Sequence, residues 1–306
     1  MRFRLAITTA AALLAANSLP AMAAIAYTQD EPAPVTVDSI DLGDGIFMLS
    51  TGIAGNLALL NGPDGVVMVD DQLSNTGPVI EGAIVEIAGA QSPRFIVNTH
   101  WHGDHTGGNT HFAAGGSTIA AQTNVRARLE ASDEAWTQLP GALPILTFGN
   151  DLTFHMNGQT VEAVHIPRAH TDGDAMVYFR EADVLHTGDV LFSGLFPFID
   201  LAAGGSVDGY LAAMERALEI AGEETRIIPG HGPLSSRADL QAALDMLREA
   251  AFRVRTLVEG GADLEAVRAA APLADYAEEW NWGFISTDRM VQTLYNDAAG
   301  NAVSFE

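Results

Sequence analysis

Between Thr99 and His105 the chain reads Thr-His-Trp-His-Gly-Asp-His, which places the imidazoles of His100, His102 and His105 and the carboxylate of Asp104 within six residues. Imidazole suits zinc and other borderline divalent ions, and a carboxylate suits harder ones. One open catalytic zinc takes three protein groups and a water, so four donors in a single turn exceed one centre. The turn reads as half of a two-metal site.

Three later positions offer the other half. His170 lies in Arg168-Ala169-His170-Thr171-Asp172-Gly173-Asp174, Asp189 in His186-Thr187-Gly188-Asp189, and His231 in Ile228-Pro229-Gly230-His231-Gly232-Pro233. Each follows an apolar run and is flanked by Gly or Pro, which permit the sharp turns a ligand loop needs. A side chain at a strand end is held by a rigid frame while its tip faces open space. The remaining histidines read differently. His111 and His155 are expected to be solvated or hydrogen-bonded, and His165 and His186 to be packed within strands. Asp172 and Asp174 read as turn and cap residues. Trp101, between two donors, either packs or lies near the mouth of the site.

These turns require strands that stop where they begin. Short β-segments are expected at 47–50, 57–60, 66–69 (ending at Asp70), 94–97, 117–120, 152–156, 160–166, 175–180, 184–187 and 226–228, with Asn61-Gly62-Pro63-Asp64-Gly65 as a strong turn. Helical spacing marks 78–88, 124–136, 206–221 and most of the chain beyond 236, while Gly107-Gly108-Asn109 opens a short helix. Residues 139–148 read as a Pro/Gly-broken connection. The apolar run 191–199 either lines a pocket or packs in the core, and Trp280, Trp282, Phe284 and Tyr295 cover the pocket, form an interface or complete the core. This order fits two sheets face to face with helices outside, although alternation by itself also fits a doubly wound sheet.

Bulk properties narrow the function. Arg2 and Arg4, the apolar stretch 5–19 and Ala21-Met22-Ala23 read as a secretory signal removed after Ala23. The apolar part is shorter than the ~20 residues a spanning helix needs, so no stable membrane anchor is expected, and the location is periplasmic or secreted. Residues 24–36 read as a flexible lead-in and 37–306 as one domain that includes the C-terminal helices from about 236. With no cysteine, disulfides, thiolate ligands and cysteine nucleophiles are excluded. The formal charge of −24, about −26 without Arg2 and Arg4, repels phosphate backbones and argues against nucleic acid as a partner. A small-molecule substrate is expected; the sequence sets no oligomeric state.

With its His-x-His-x-Asp-His turn followed by a later His, Asp and His, the chain resembles the metallo-β-lactamase-fold hydrolase superfamily over roughly 37–233. The resemblance implies a four-layer αββα sandwich with a C-terminal helical extension. It implies one metal on His100, His102 and His170, a second on Asp104, His105 and His231, and Asp189 bridging them. Asp70 resembles the family's buried aspartate that steadies the ligand loop, with Asp71 as the alternative. Two divalent ions, zinc above all, would hold a shared hydroxide positioned by Asp104 and Asp189, and the absence of a Gly-x-Ser-x-Gly elbow agrees with a metal-held nucleophile. The implied activity is hydrolysis of an activated carbonyl: a β-lactam amide, a lactone or a thioester. Alternatives within the fold are a glyoxalase II-like thioesterase and an iron-dependent, persulfide dioxygenase-like oxidoreductase.

Overall fold

The computed structural model describes residues 35–89, 92–301 and 303. The expected signal peptide and nearly all of the lead-in lie outside the described residues. Strands β1 (Asp38–Asp41), β2 (Ile46–Ser50), β3 (Leu57–Leu60), β4 (Val67–Val69), β5 (Phe95–Asn98), β6 (Thr118–Gln122) and β7 (Leu146–Phe148) form one sheet in chain order. It is antiparallel from β1 to β4 and parallel from β4 to β7. Strands β8 (Asp151–Met156), β9 (Gln159–Ile166), β10 (Asp174–Phe179), β11 (Val184–His186) and β12 (Arg226–Ile228) form the second, in the order β12-β11-β10-β9-β8. Only its β11–β12 pair is parallel.

Strand side chains alternate between faces, and the alternation here sorts residues between layers. Val67, Val69, Val97, Ala175, Val177, Phe179, Val184 and Ile228 pack together between the two sheets. Their chain neighbours Met68 and Ile96 turn outward onto Ile80 and Ile84 of α1 (Gly77–Ala88) and Phe112. Met176, Leu185 and Ile227 turn outward on the other side, onto the helices that follow. Helix, sheet, sheet, helix is the αββα arrangement.

Three short helices follow α1 in the chain: α2 (Gly103–Thr106), α3 (Asn109–Ala114) and α4 (Thr123–Ala131). Covering the second sheet are α5 (Val207–Ile220), α6 (Arg237–Glu259), α7 (Leu264–Ala270), α8 (Ala277–Trp280) and α9 (Thr287–Ala298). Ser206 caps α5 by accepting from Gly209 N at 3.0 Å, and Ser236 with Asp239 forms a reciprocal capping box on α6. The helical spacing noted on α6 is its buried face, with Leu240, Leu244, Leu247 and Val254 in the same core as α5. The C-terminal helices therefore share a core with the second sheet.

Two expectations change. The helix expected at 124–136 stops at Ala131, because Ser132 adopts an extended backbone and its Oγ accepts from Glu134 N; a short polar side chain here competes with helical hydrogen bonding. The connection at 139–148 ends in a strand, β7, which pairs parallel with β6. Pro144, the nearer of its two prolines, falls just outside the paired residues, where a missing N–H costs nothing. Among the described residues no helix is long and apolar enough to cross a membrane.

Candidate metal centre

All the expected donors lie on loops leaving the carboxyl ends of strands. The 99–105 loop leaves β5 and tightens into the single turn α2, which carries Asp104 and His105. His170 follows β9, Asp189 follows β11 and His231 follows β12. β9 and β11 are both antiparallel to β10, and β12 is parallel to β11, so these three strands deliver their ends to one edge. The two sheets meet there through Ala175 N donating to Thr99 O at 2.7 Å, and Asn56 N donating to Gly230 O at 2.8 Å.

Two groups of donors result, each with its ligand atoms within 4.8 Å of one another: His100, His102, His170 and Asp189, and Asp104, His105 and His231. In the first, His170 Nε2 faces His102 Nδ1 at 2.8 Å. In the second, His231 Nε2 lies 3.2 Å from Asp104 Oδ2 and 3.4 Å from His105 Nε2. Asp189 touches both: its Oδ2 is 3.7 and 3.5 Å from His100 Nε2 and His170 Nε2 and 3.6 Å from His231 Nε2, and its Oδ1 is 3.1 Å from His105 Nε2.

The nitrogens that point away from the centre are held. Thr99 Oγ1 lies 3.0 Å from His100 Nδ1, Asp200 Oδ2 3.1 Å from His102 Nε2, Asp70 Oδ2 2.7 Å from His105 Nδ1, and the Phe198 carbonyl 2.8 Å from His170 Nδ1. Metal-ligating imidazoles are oriented in this way, with the far N–H on a carboxylate or carbonyl and the lone pair aimed inward. Asp70 also accepts from Thr99 N at 2.7 Å and Thr99 Oγ1 at 2.8 Å, which ties the loop down. The pairing of Val69 with Val97 puts Asp70 beside that loop. Asp71 is equally buried, yet its carboxyl oxygens make no hydrogen bond. Burial, then Asp70, pushes its pKa well above the usual carboxylate range.

Electrostatics agree with the geometry. Burial pushes His100 well below its ordinary pKa and His170 down to about 4, so both present lone pairs at neutral pH. Burial alone would raise Asp189 and Asp104, but the facing imidazoles, His105 first, hold Asp189 well below the usual range and Asp104 at about 2. Burial alone would lower His231 and His105, but the carboxylates, Asp189 first, raise His231 to about 9 and His105 well above its ordinary value. Two anions thus face two protonated imidazoles, and the His100 Nε2 and Asp189 Oδ1 atoms are buried without a hydrogen bond. This donor set fits a pair of divalent cations, which would displace the protons.

Backbone has to come close here. A Cβ on Gly55 would strike the His105 ring, and one on Gly230 would strike the Asp189 carboxylate. Asn56 holds the last loop by donating to the Pro229 and Gly232 carbonyls, both at 2.9 Å. The centre opens onto a cavity of about 920 Å³, with His102, Asp104, Asp189 and His231 in its lining.

The other candidates fall as the sequence suggests, with refinements. His111 pairs with Glu81 at 3.2 Å, and His155 is exposed on β8. His165 bonds the Asp172 carbonyl, and buried His186 bonds Asn56 O and Gly188 N. Asp172 takes a bidentate pair from Arg128. Trp101 packs beside Ala121, Val125 and Leu129 and is not in the cavity lining. The 191–199 run divides: Leu191, Phe196 and Ile199 are core, whereas Phe192, Leu195 and Phe198 line the cavity. Trp280 is core and Tyr295 packs on it, while Trp282 and Phe284 line the cavity. Asp200 and Thr99 escaped the sequence reading. The one local signal for Asp200 is its position as an acid embedded between apolar Ile199 and Leu201.

Asp174, under the His170 loop, is pushed up to about 7 by burial against favourable hydrogen bonds from Thr171. Its unfolded value is about 3.9, so between roughly pH 4 and 7 the folded chain holds the proton and this carboxyl weakens the fold as pH rises, by up to about 1.4 kcal/mol per pH unit. His170, with a depressed value, contributes the opposite sign, so the effect is read by difference. In denaturant melts of chelator-treated protein, Asp174→Asn should gain on the parent as pH rises from 4 to 7; a constant difference would refute the assignment.

A two-sheet sandwich with two donor clusters at one edge defines the class: a protein built to hold metal. Residues 50–231 match the family model of the Metallo-beta-lactamase superfamily, and the chain belongs to that superfamily. It is 28% identical over 195 residues to the hydroxyacylglutathione hydrolase of Methylococcus capsulatus, a match covering 60% of this chain and 68% of that protein. It is 24% identical over 224 residues to the human acyl-coenzyme A thioesterase MBLAC2, covering 62% and 79%. The solved metallo-beta-lactamase from Pontibacter korlensis shares the fold with a TM-score of 0.59 at 18% identity, covering 70% of this chain and 99% of that one.

Proposed function

We propose that the protein is an exported hydrolase of an activated carbonyl compound (thioester, lactone or β-lactam) working with two divalent cations, zinc by preference. His100, His102 and His170 would hold one cation, Asp104, His105 and His231 the other, and Asp189 both. The reading is carried by one observation: seven donors from four chain segments converge while four of the five imidazoles have their far nitrogens anchored. Bound there, such cations supply Lewis acidity and lower the pKa of water from 15.7 to about 7.

The chain's own groups have definite tasks. Asp104 and Asp189, kept ionised by His105 and its neighbours, accept hydrogen bonds from the attacking water and orient it toward the carbonyl carbon. Asp104 is the most exposed of the donors, at 33%, and faces the cavity, where it can take the proton that the attacking water gives up and hand it to the leaving group. His102 and His231 are themselves 17% and 16% exposed, which lets water reach the reacting end. The chain has no cysteine to act as a covalent nucleophile.

Export is supported by Arg2, Arg4, the apolar stretch 5–19 and Ala21-Met22-Ala23. One experiment tests the whole reading. Protein recovered from the periplasm, with a mass expected to begin at Ala24, is assayed against a thioester, an acyl lactone, a penicillin and a phosphodiester, with and without chelator, alongside metal analysis. Chelator-sensitive hydrolysis of a carbonyl substrate and about two zinc per chain are expected. Turnover indifferent to chelator, or a single iron, would defeat the proposal.

A further inference from the structure

We infer that the substrate carries an uncharged, apolar acyl group that lies against an aromatic wall built jointly by the loop after Asp189 and the C-terminal segment. The inference rests on the hydrolase reading above and narrows its substrate class. Beyond the donors, the cavity is mainly apolar, Ser50 and Asn56 being its uncharged polar members: Phe192, Leu195 and Phe198 come from the loop after Asp189, Trp282 and Phe284 from the segment between α8 and α9, and Ile53 from the turn after β2. The rings touch in sequence. Phe192 stacks on His231 at 4.9 Å, Trp282 lies 5.8 Å from Phe192, Phe284 5.7 Å from Trp282, and Phe198 5.3 Å from Phe284. Trp282 turns its only polar atom away, donating from Nε1 to the Phe196 carbonyl at 2.9 Å, so the indole is fixed and its rings are left for the cavity. At the mouth Ile53 is 56% and Phe284 46% exposed, an outlay of apolar surface that marks a binding site.

Charge points the same way. Among the described residues, the only ionisable ones in the lining are His102, Asp104, Asp189 and His231, all members of the donor clusters. The chain has no lysine at all, every one of its fifteen basic residues being arginine, and no arginine is among the described lining residues. Arg289 is near but is directed at Phe284, with its guanidinium 5.4 Å from the ring centre and a hydrogen bond to the Phe284 carbonyl at 2.6 Å. A substrate with carboxylates or phosphates on its non-reacting part, such as a glutathione or coenzyme A thioester, would enter a wall without a cationic partner on a protein of net charge −24. Burying an unpaired anion there is costly, whereas each methylene removed from water adds up to about fourfold in affinity. A cavity of about 920 Å³ accommodates a chain of medium length.

The test separates the wall from the chemistry. Chelator-treated protein is titrated with N-decylacetamide, N-butylacetamide and decanoate, followed by calorimetry and tryptophan fluorescence. N-decylacetamide should bind at least tenfold more tightly than either of the others. Phe284→Ala, at a half-exposed position that tolerates truncation, and Trp282→Ala should each weaken it about fivefold or more and leave N-butylacetamide unchanged. Metal-loaded protein is then assayed with butanoyl and decanoyl thioesters of N-acetylcysteamine and with decanoyl-coenzyme A. The decanoyl thioester of the neutral thiol should lead in kcat/KM by at least tenfold over both. Equal binding of the three probes, tighter binding of decanoate, indifference of both variants, or preference for the coenzyme A ester would each overturn the inference. If the binding order holds and no thioester is turned over, the thioester branch of the hydrolase reading falls and the apolar site stands.

Discussion

Asp189→Ala is expected to lower turnover by at least about a thousandfold and to leave no more than one cation per chain. Its carboxylate faces members of both donor clusters, at 3.1 Å to His105 and 3.5–3.7 Å to His100, His170 and His231. Without it four imidazoles converge with no shared anion, and cations placed there would repel each other uncompensated. Loss of several kcal/mol of charge stabilisation corresponds to three or more decades at 1.36 kcal/mol each. The fold should survive, because the backbone carbonyl of residue 189 still accepts from Tyr210 Oη at 2.8 Å. Metal content by mass spectrometry, kcat and melting temperature are the measurements. Asp172→Ala is the control: it breaks a partly exposed ion pair with Arg128, worth about 1 kcal/mol or less, and should leave turnover within about twofold. Retention of two cations and of activity within tenfold in Asp189→Ala would show that the two clusters do not share this group.

Asp70→Asn is expected to weaken cation binding at the Asp104–His105–His231 cluster by about 10- to 100-fold while sparing the other cluster. Asp70 is buried and accepts three hydrogen bonds, from Thr99 N, Thr99 Oγ1 and His105 Nδ1. An amide of the same shape turns one acceptor into a donor, so a buried donor must face another donor, at a cost of about 1–3 kcal/mol. If the amide N–H faces His105, the imidazole gives up its Nδ1 proton and carries one on Nε2. That is the atom aimed at Asp104, Asp189 and His231. A competition titration that resolves two affinities distinguishes this positioning role from general loosening, which would weaken both. Parent-like affinity at both sites would remove Asp70 from the account.

The legible and the hidden parts of this site divide by distance along the chain. His100, His102, Asp104 and His105 occupy one strand end and one helical turn, so covalent geometry alone keeps them close, and residue types in sequence were enough to read them as metal donors. The strands themselves were legible for a similar reason, since apolar runs such as Val67-Met68-Val69 are local, but only the packed layers sort Val67 and Val69 inward and Met68 outward. Caps at Ser206 and Ser236 are local too. The end of α4 was misread and β7 was missed altogether, because a serine side chain and a neighbouring strand, not residue preference, settle them.

Tertiary structure alone decided which distant groups meet. His170, Asp189 and His231 follow three strands whose common direction is a property of sheet pairing, and only that pairing delivers them to one edge. Either Asp70 or Asp71 could serve the loop as far as sequence goes; the register of β4 against β5 selects Asp70. Asp200 reaches His102 across 98 residues, and Trp282 and Phe284 reach the cavity from beyond α8. In sequence such residues look like any other acid or aromatic. Local chemistry is written in local order, whereas the partners that orient it and the wall beside it exist only once two sheets and their covering helices have closed around a shared edge.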